Sequence, residues 1–275
     1  MGLRINTNVP SLAAQRGLSE SQRKLDTTMR QLATGNRFAD LSEGPGDYAI
    51  AETLKAHVRG QGAGRNNAEN AISYVQVAEG GLNEQNNLLI RMRELSIQSA
   101  SDTFSDTERE LMDMEFQQLL SEFDRIAQTT RFGSSRLLAG ENKTMEFQVG
   151  SFGTANDIIK FSSNADTTVK SMDLNGLEVG DKSDARESLE YIDEAITGIA
   201  KTRAHFGAIQ SRLESASANA SVQIENLEAA RSRIADTDFA KAASELFKQQ
   251  ALSQYQISIL SQANQFPTSV LRLLG

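Results

Sequence analysis

From Gly46 to Phe266 this chain carries no proline. Proline is the residue that ends a helix most forcibly, because its ring removes a backbone donor and clashes with the preceding turn. Nothing across that span therefore forbids helices of many turns. The three prolines, at positions 10, 45 and 267, are expected where elements start or stop. Aromatic residues make up 6% of the chain and tryptophan is absent, so one thick globular core is disfavoured and elongated helical packing suits the sequence better.

Hydrophobic spacing fills the proline-free span with helices. Residues 11–34 read as a helix with Pro10 in its first turn, Leu18, Leu25, Met29 and Leu32 on one stripe, and Gly35-Asn36 as its stop. A loop follows over 35–47. From Asp47 to about Ala100 the positions Ala68, Ala71, Val75, Ala78, Leu82, Leu89 and Met92 alternate threes and fours, with polar Gln85 in the same register. Such a helix would be roughly 80 Å long at 1.5 Å per residue, with a narrow seam of small residues. Ser105 with Glu108 forms a capping box that opens a second helix bearing Met112, Phe116, Leu119, Phe123 and Ile126, and Asp102–Ser105 becomes the turn of a helical hairpin. Past Phe132-Gly133-Ser134 the period drops to two: Met145, Phe147 and Val149 alternate, Gly150 and Gly153 turn the chain, and Ile158, Ile159 and Phe161 return, giving a small β patch that extends to about Val179. Asp184 and Glu187 are expected to start a third long helix, carried by Leu189, Ile192, Ile196, Ile199, Phe206, Ile209, Leu213, Leu227 and Ile234 and packed antiparallel on the first two.

The two ends are built differently from the middle. Residues 1–19 and 246–275 contain no Asp or Glu, although the whole chain has a formal net charge of -8. Leu252, Tyr255, Ile259, Ala263, Phe266, Val270 and Leu273 follow a mean spacing near 3.5, the coiled-coil value, and Leu260 lies among them. Matching apolar ends invite burial together. Burying one such tail does not offset the backbone entropy of ordering it, so it should order only against the other terminus and neighbouring molecules.

Several function classes recede. Without cysteine there is no disulfide framework and no thiolate site. The acidic balance and lack of a clustered Lys/Arg patch disfavour nucleic acid as a partner. The N-terminus lacks the apolar core of a cleaved secretory signal, and no apolar run of about 18 residues exists to insert in a membrane. Gly60-Gln61-Gly62-Ala63-Gly64-Arg65 has no preceding strand and no Lys-Ser/Thr, so it reads as a weakened or bent stretch of helix and not as a phosphate loop. His57 and His205 are the only histidines and have no second ligand at helical spacing. Carboxylate pairs such as Glu108 with Glu110 and Glu187 with Glu190 belong to solvated helix faces. No catalytic constellation, metal site or cofactor motif emerges, and the chain reads as a non-enzyme.

Three sets of residues carry a family resemblance. Ile5-Asn6-Thr7-Asn8 with Ser11-Leu12-Ala13-Ala14-Gln15-Arg16, the central Arg91 to Gln98, and Gln262-Ala263-Asn264-Gln265-Phe266-Pro267 through Leu274 together resemble bacterial flagellin. Ala78 to Glu84, Gly207 to Arg212 and Ser232 to Asp238 extend the likeness over nearly the whole chain. The loop Ala39–Gly46 departs from the family's usual paired aspartates, and Phe132-Gly133-Ser134 replaces a common Phe-Asn-Gly. Asn164–Asp181 leaves no room for the long outer region that many members insert.

The resemblance implies a minimal flagellin of mainly α fold: a long antiparallel helical hairpin or coiled-coil bundle with a small β-hairpin patch and paired terminal helices. Residues 1–43 and 239–275 would form a discontinuous inner-tube domain, and 44–238 a helical middle domain with its hairpin region at about 140–180. It further implies a homopolymer, alone or with sister flagellins, exported unfolded by the flagellar type III apparatus to an extracellular filament for swimming. An export chaperone, hook-associated junction and cap proteins, and an animal innate flagellin receptor are the implied partners. The family's filaments switch supercoil through small shifts between protofilaments, which the helical seam and strand patch would carry. Assembly would fall on Leu18, Leu25, Met29, Leu32, Leu252, Tyr255, Ile259, Leu260, Phe266, Val270 and Leu273. Subunit contact or receptor recognition would fall on Arg91, Glu94, Leu95 and Glu115. The related hook-filament junction protein shares the terminal pattern and differs in copy number. A soluble coiled-coil adaptor, the reading from another class, would be a stable helical monomer that never polymerises.

Overall fold

The computed structural model describes residues 8–39, 44–140, 144–162 and 165–273. Five long helices and two small antiparallel hairpins account for most of them: α1 (Val9–Thr34), α2 (Pro45–Ser99), α3 (Asp106–Thr129), β1 (Arg131–Phe132), β2 (Ser135–Arg136), β3 (Thr144–Gln148), β4 (Ile158–Ser162), α4 (Lys182–Ala235) and α5 (Phe239–Leu273). Two compact units result, one of Met1–His57 with Asn226–Gly275 and one of Val58–Glu225.

The core of the 58–225 unit is the seam expected on α2. Ala68, Ala71, Val75, Ala78, Leu82, Leu89 and Met92 are all fully buried, together with Phe116 and Phe123 of α3 and Ile192, Ile199, Phe206 and Leu213 of α4. Gln85, the polar residue in that register, is buried too, and its amide donates to the Phe123 carbonyl (3.2 Å) and the Thr167 carbonyl (3.1 Å). A buried polar side chain is tolerated when it finds such partners, and this one ties α2 to α3 and to the segment after β4. Tyr74 of α2 meets the rings of Phe132, Phe147 and Phe161 at 5.5, 6.2 and 5.6 Å, and Phe161 meets Phe206 at 5.3 Å, so an aromatic cluster seats the hairpins on α2 and α4.

The hairpins follow from local chemistry. Gly133, at φ +62°, occupies the first central position of the two-residue turn joining β1 to β2, where a positive φ matches the twist of hairpin strands. Strand β3 pairs with β4 from Thr144↔Ser162 to Gln148↔Ile158, as the alternation predicted. The β patch stops there, short of Val179. Residues 165–181 form turns held by side chains: Val169 N–H donates to Asp124 and Val179 N–H to Asp113, while Gln117 donates to the Leu177 carbonyl. Alternation of period two does not reveal a strap held by such side-chain bonds together with a single bridge, Ala139 to Asp166.

Three local expectations change. Helix α2 runs unbroken through Gly60–Arg65. A Cβ on Gly64 would lie 2.7 Å from the Val149 carbonyl carbon, so that glycine admits the end of β3. Helix α4 begins at Lys182, two residues before Asp184, with Ala185 N–H bonded to the Asp181 carbonyl (2.9 Å). Pro267 lies inside α5 and does not end it.

Gly62 and Gly64 provide a paired test. Nothing lies within 4 Å of a Cβ built on Gly62. Gly62→Ala should therefore gain up to about 1 kcal/mol from helix propensity, whereas Gly64→Ala should lose about 1–3 kcal/mol by pushing the hairpin off α2. Urea denaturation followed by circular dichroism separates the two signs.

Candidate assembly surfaces

In the unit that contains both ends, α1 and α5 pack against each other. Where α1 stops, Gly35 at φ +67° donates to the Gln31 carbonyl. The next residues then exchange backbone hydrogen bonds with the junction of α4 and α5, Arg37 N–H to Ala235 O (2.7 Å) and Thr237 N–H to Gly35 O (2.9 Å). From this ladder the two helices run antiparallel along a regular heptad seam.

That seam mixes leucines with small and polar residues. On α5 the heptad positions Ala242, Leu246, Gln249, Ser253, Gln256, Leu260 and Ala263 are buried or half-buried, stepping 4, 3, 4, 3, 4 and 3, with Ala243 and Glu245 half-buried beside them. Facing them on α1 are Ala14, Leu18, Ser21, Leu25, Thr28 and Leu32. Ser21 Oγ donates to Gln249 Oε1 at 2.9 Å, Gly17 lies against the Gln256 amide, and Thr28 returns its hydroxyl to the Lys24 carbonyl.

The residues proposed from sequence divide accordingly. Leu18, Leu25, Leu32 and Leu260 are half-buried in the seam. Met29, Leu252, Tyr255 and Ile259 instead face outward, Tyr255 with 74% of its surface exposed. The apolar stripe of α5 is thus offset by one position from the seam and meets it only at Ala263. On α1 apolar periodicity found the paired face, whereas on α5 it marks the face beside the seam, where Leu246 and Leu260 alternate with Ala, Ser and Gln. Phe239, Phe247 and Ile257 are exposed as well. The side chains of Phe266, Val270 and Leu273 lie outside the described ones, as do residues 1–7 and Leu274.

In the 58–225 unit Arg91 bridges two helices. Its guanidinium donates twice to Glu115 Oε1 of α3 (2.9 and 2.7 Å) and once to Glu94 (3.1 Å), so the i, i+3 pair read from sequence is one arm of a three-residue cluster. All three side chains are about half exposed, whereas Leu95 is 2% exposed and belongs to the core. Any surface here consists of Arg91, Glu94 and Glu115, without Leu95.

At the turn between α2 and α3 stands a residue that sequence reasoning passed over. Arg109 is buried and its guanidinium donates to the carbonyls of Ser99, Ser101 (2.9 Å) and Phe104 (2.9 Å). These are carbonyls that the end of α2 and the turn leave open. Around it, Glu108 accepts from the backbone N–H and hydroxyl of Ser105 (2.7 and 2.8 Å), and Lys182 holds both oxygens of Asp102.

Hydrogen bonds from Lys182 hold the Asp102 carboxyl below its ordinary range, and those from Ser105 do the same for Glu108. A depressed folded-state value means that the unfolded chain binds more protons as pH falls, so stability rises with pH in that window. The urea midpoint of the helical unit should be flat from about pH 7 to 5 and fall from about pH 5 to 3. Lys182→Met should flatten part of the fall in an equilibrium denaturation series.

Comparison with known proteins converges on one family. Residues 5–143 match the profile described as the bacterial flagellin N-terminal helical region, and residues 189–274 match the bacterial flagellin C-terminal helical region. A flagellin of Halalkalibacterium halodurans is 34% identical over 271 residues, spanning 98% of this chain and 99% of its own. A flagellar filament 33 kDa core protein of Treponema phagedenis is 36% identical over 287 aligned residues, again 98% and 99%. The crystal structure of Bacillus cereus flagellin superposes with a TM-score of 0.50 at 28% identity, covering 56% of this chain and 88% of that one. A unit of paired terminal helices and a helical unit with two short β-hairpins define a mainly α-helical protein. This chain belongs to the bacterial flagellin family.

Proposed function

We propose that the chain is the repeating structural subunit of an extracellular bacterial flagellar filament, a polymer-forming protein and not an enzyme. The observation that carries this reading is the outward face of α5: Phe247, Leu252, Tyr255, Ile257 and Ile259 stay exposed because the pairing with α1 uses the neighbouring face of the helix. A long helix that leaves so many large apolar groups in water is stabilised by covering them, at roughly 1.5–3 kcal/mol for each large side chain fully buried. The occupant is a second copy of the chain, which offers the same surface. Lateral copies would then form a tube from the terminal domain of residues 1–43 and 239–275.

Coupling of order to assembly fits the same face. A terminal pair whose apolar surface remains uncovered gains much of its stability only within the polymer, and a loosely held pair suits threading through the flagellar type III exporter. Before export the same stripe is the natural handle for a chaperone, while junction and cap proteins would meet it at the filament ends. The Arg91–Glu94–Glu115 cluster is proposed as a contact between subunits and as the part open to an innate receptor on free chains.

Tyr255→Asp isolates the outward face. The carboxylate is solvated in the free chain and costs little there, but in a packed assembly it loses its hydration, a penalty of several kcal/mol. Circular dichroism of the variant monomer should match the parent, and seeding on filament fragments followed by sedimentation should give no pellet. Normal polymerisation of Tyr255→Asp would overturn the assignment of this face. Leu260→Asp, in the seam, should block pelleting as well, in this case by separating α1 from α5.

A further inference from the structure

Ala263 closes the buried heptad positions of α5, four residues before Pro267. In an α-helix each carbonyl accepts from the amide four residues on. For Ala263 that amide is Pro267's, which carries no hydrogen. The acceptor left over is taken by the other end of the chain: Asn8 Nδ2 donates to the Ala263 carbonyl at 2.7 Å. The same carboxamide's oxygen accepts the Ser11 N–H at 3.1 Å, capping α1, and Ser11 Oγ donates to Asn264 Oδ1 at 2.9 Å. One side chain thereby caps one helix and fills the opening that a proline makes in another, 255 positions away.

We propose that Asn8 and Pro267 form a clasp that holds the far end of the terminal helix pair. Asn8 is the positioning residue, and Pro267 acts by withholding a donor. The ladder at Asn36 and Asp236 fixes the pair at its other end, 28 residues and about 42 Å of helix away at 1.5 Å per residue. Between the two ties the seam says little about axial position, because Gln249 and Gln256 present the same amide one heptad apart. A polar contact that satisfies a specific acceptor fixes register where a small-residue seam does not. The inference concerns contacts within one subunit. It deepens the proposed role of the paired ends without depending on filament formation.

A proline inside a helix ordinarily destabilises it, so Pro267→Ala would ordinarily be read as a gain. The clasp predicts otherwise for α1: restoring the amide hydrogen closes the Ala263 carbonyl internally and leaves Asn8 without its acceptor. Asn8→Ser is the complementary variant, since serine keeps a capping oxygen for Ser11 and loses the amide donor.

Hydrogen–deuterium exchange on the full-length parent, Asn8→Ser, Pro267→Ala and the double variant tests this, in solution and in polymer pelleted from seeds. Asn8→Ser should speed exchange of amides in residues 12–20 and 253–263 by about tenfold, with residues 24–34 unchanged beside the ladder. In the Pro267→Ala background the same substitution should change α1 exchange by less than about twofold, because its acceptor is already occupied. Equal effects of Asn8→Ser in both backgrounds, or no effect of it in either solution or polymer, would overturn the clasp. Whether the variants pellet is read separately, so a failed filament reading shows as an absent pellet in the parent and a failed clasp as unchanged exchange.

Discussion

How closely other segments can approach α2 governs the helical unit. Its seam carries alanine at 68, 71 and 78, and at Gly64 and Gly81 even a methyl group would strike the Val149 carbonyl or the Thr130 and Leu138 side chains. Close approach brings α3, α4 and both hairpins within reach of the same helix. It also makes the polar ties possible: Gln85 to the α3 backbone, Arg91 to Glu115, and Arg93 to Asp193 of α4 at 2.7 Å. A larger residue at any of the seam alanines would enlarge the spacing and lengthen each of these hydrogen bonds together.

The two units distribute apolar surface in opposite ways. The helical unit buries Phe116, Phe123, Phe161 and Phe206, although Leu111, Phe132 and Phe152 are exposed. The terminal pair keeps Ser21, Thr28 and Gln249 inside and leaves Phe247, Tyr255 and Ile257 outside. An inverted arrangement of this kind is stable only where something covers the outer face, and a family defined by flagellins and filament core proteins supplies the setting.

Much of the helical unit was legible because its pattern is an energetic one. Three-four spacing on α2, the Ser105–Glu108 cap and the alternation of β3 and β4 each express burial or capping that the residue types themselves announce. On α5 the stripe of highest hydropathy and the contact with α1 are neighbouring faces, and only the backbone shows which is which, whereas Leu18, Leu25 and Leu32 of the α1 stripe lie in the contact. Arg109 and Asn8 were illegible for another reason: each serves carbonyls that exist only once a turn or a proline has opened them. Gln85 stood out as an exception in the register, and its buried amide explains the exception.

Asn8 and Ala263 touch across almost the full length of the chain, and so do Gly35 and Thr237 across most of it. Helix α1 precedes the helical unit in the sequence, and its partner follows it. During synthesis α1 has no seam to enter, whereas the helical unit between the ends can close from contacts already made. Loop-closure entropy then falls on the terminal pair as a single late step, after some two hundred intervening residues have condensed and brought its two strands of chain together. The order of folding is thereby written into the position of a partner in the sequence: the segment that waits is the one whose partner lies on the far side of the helical unit.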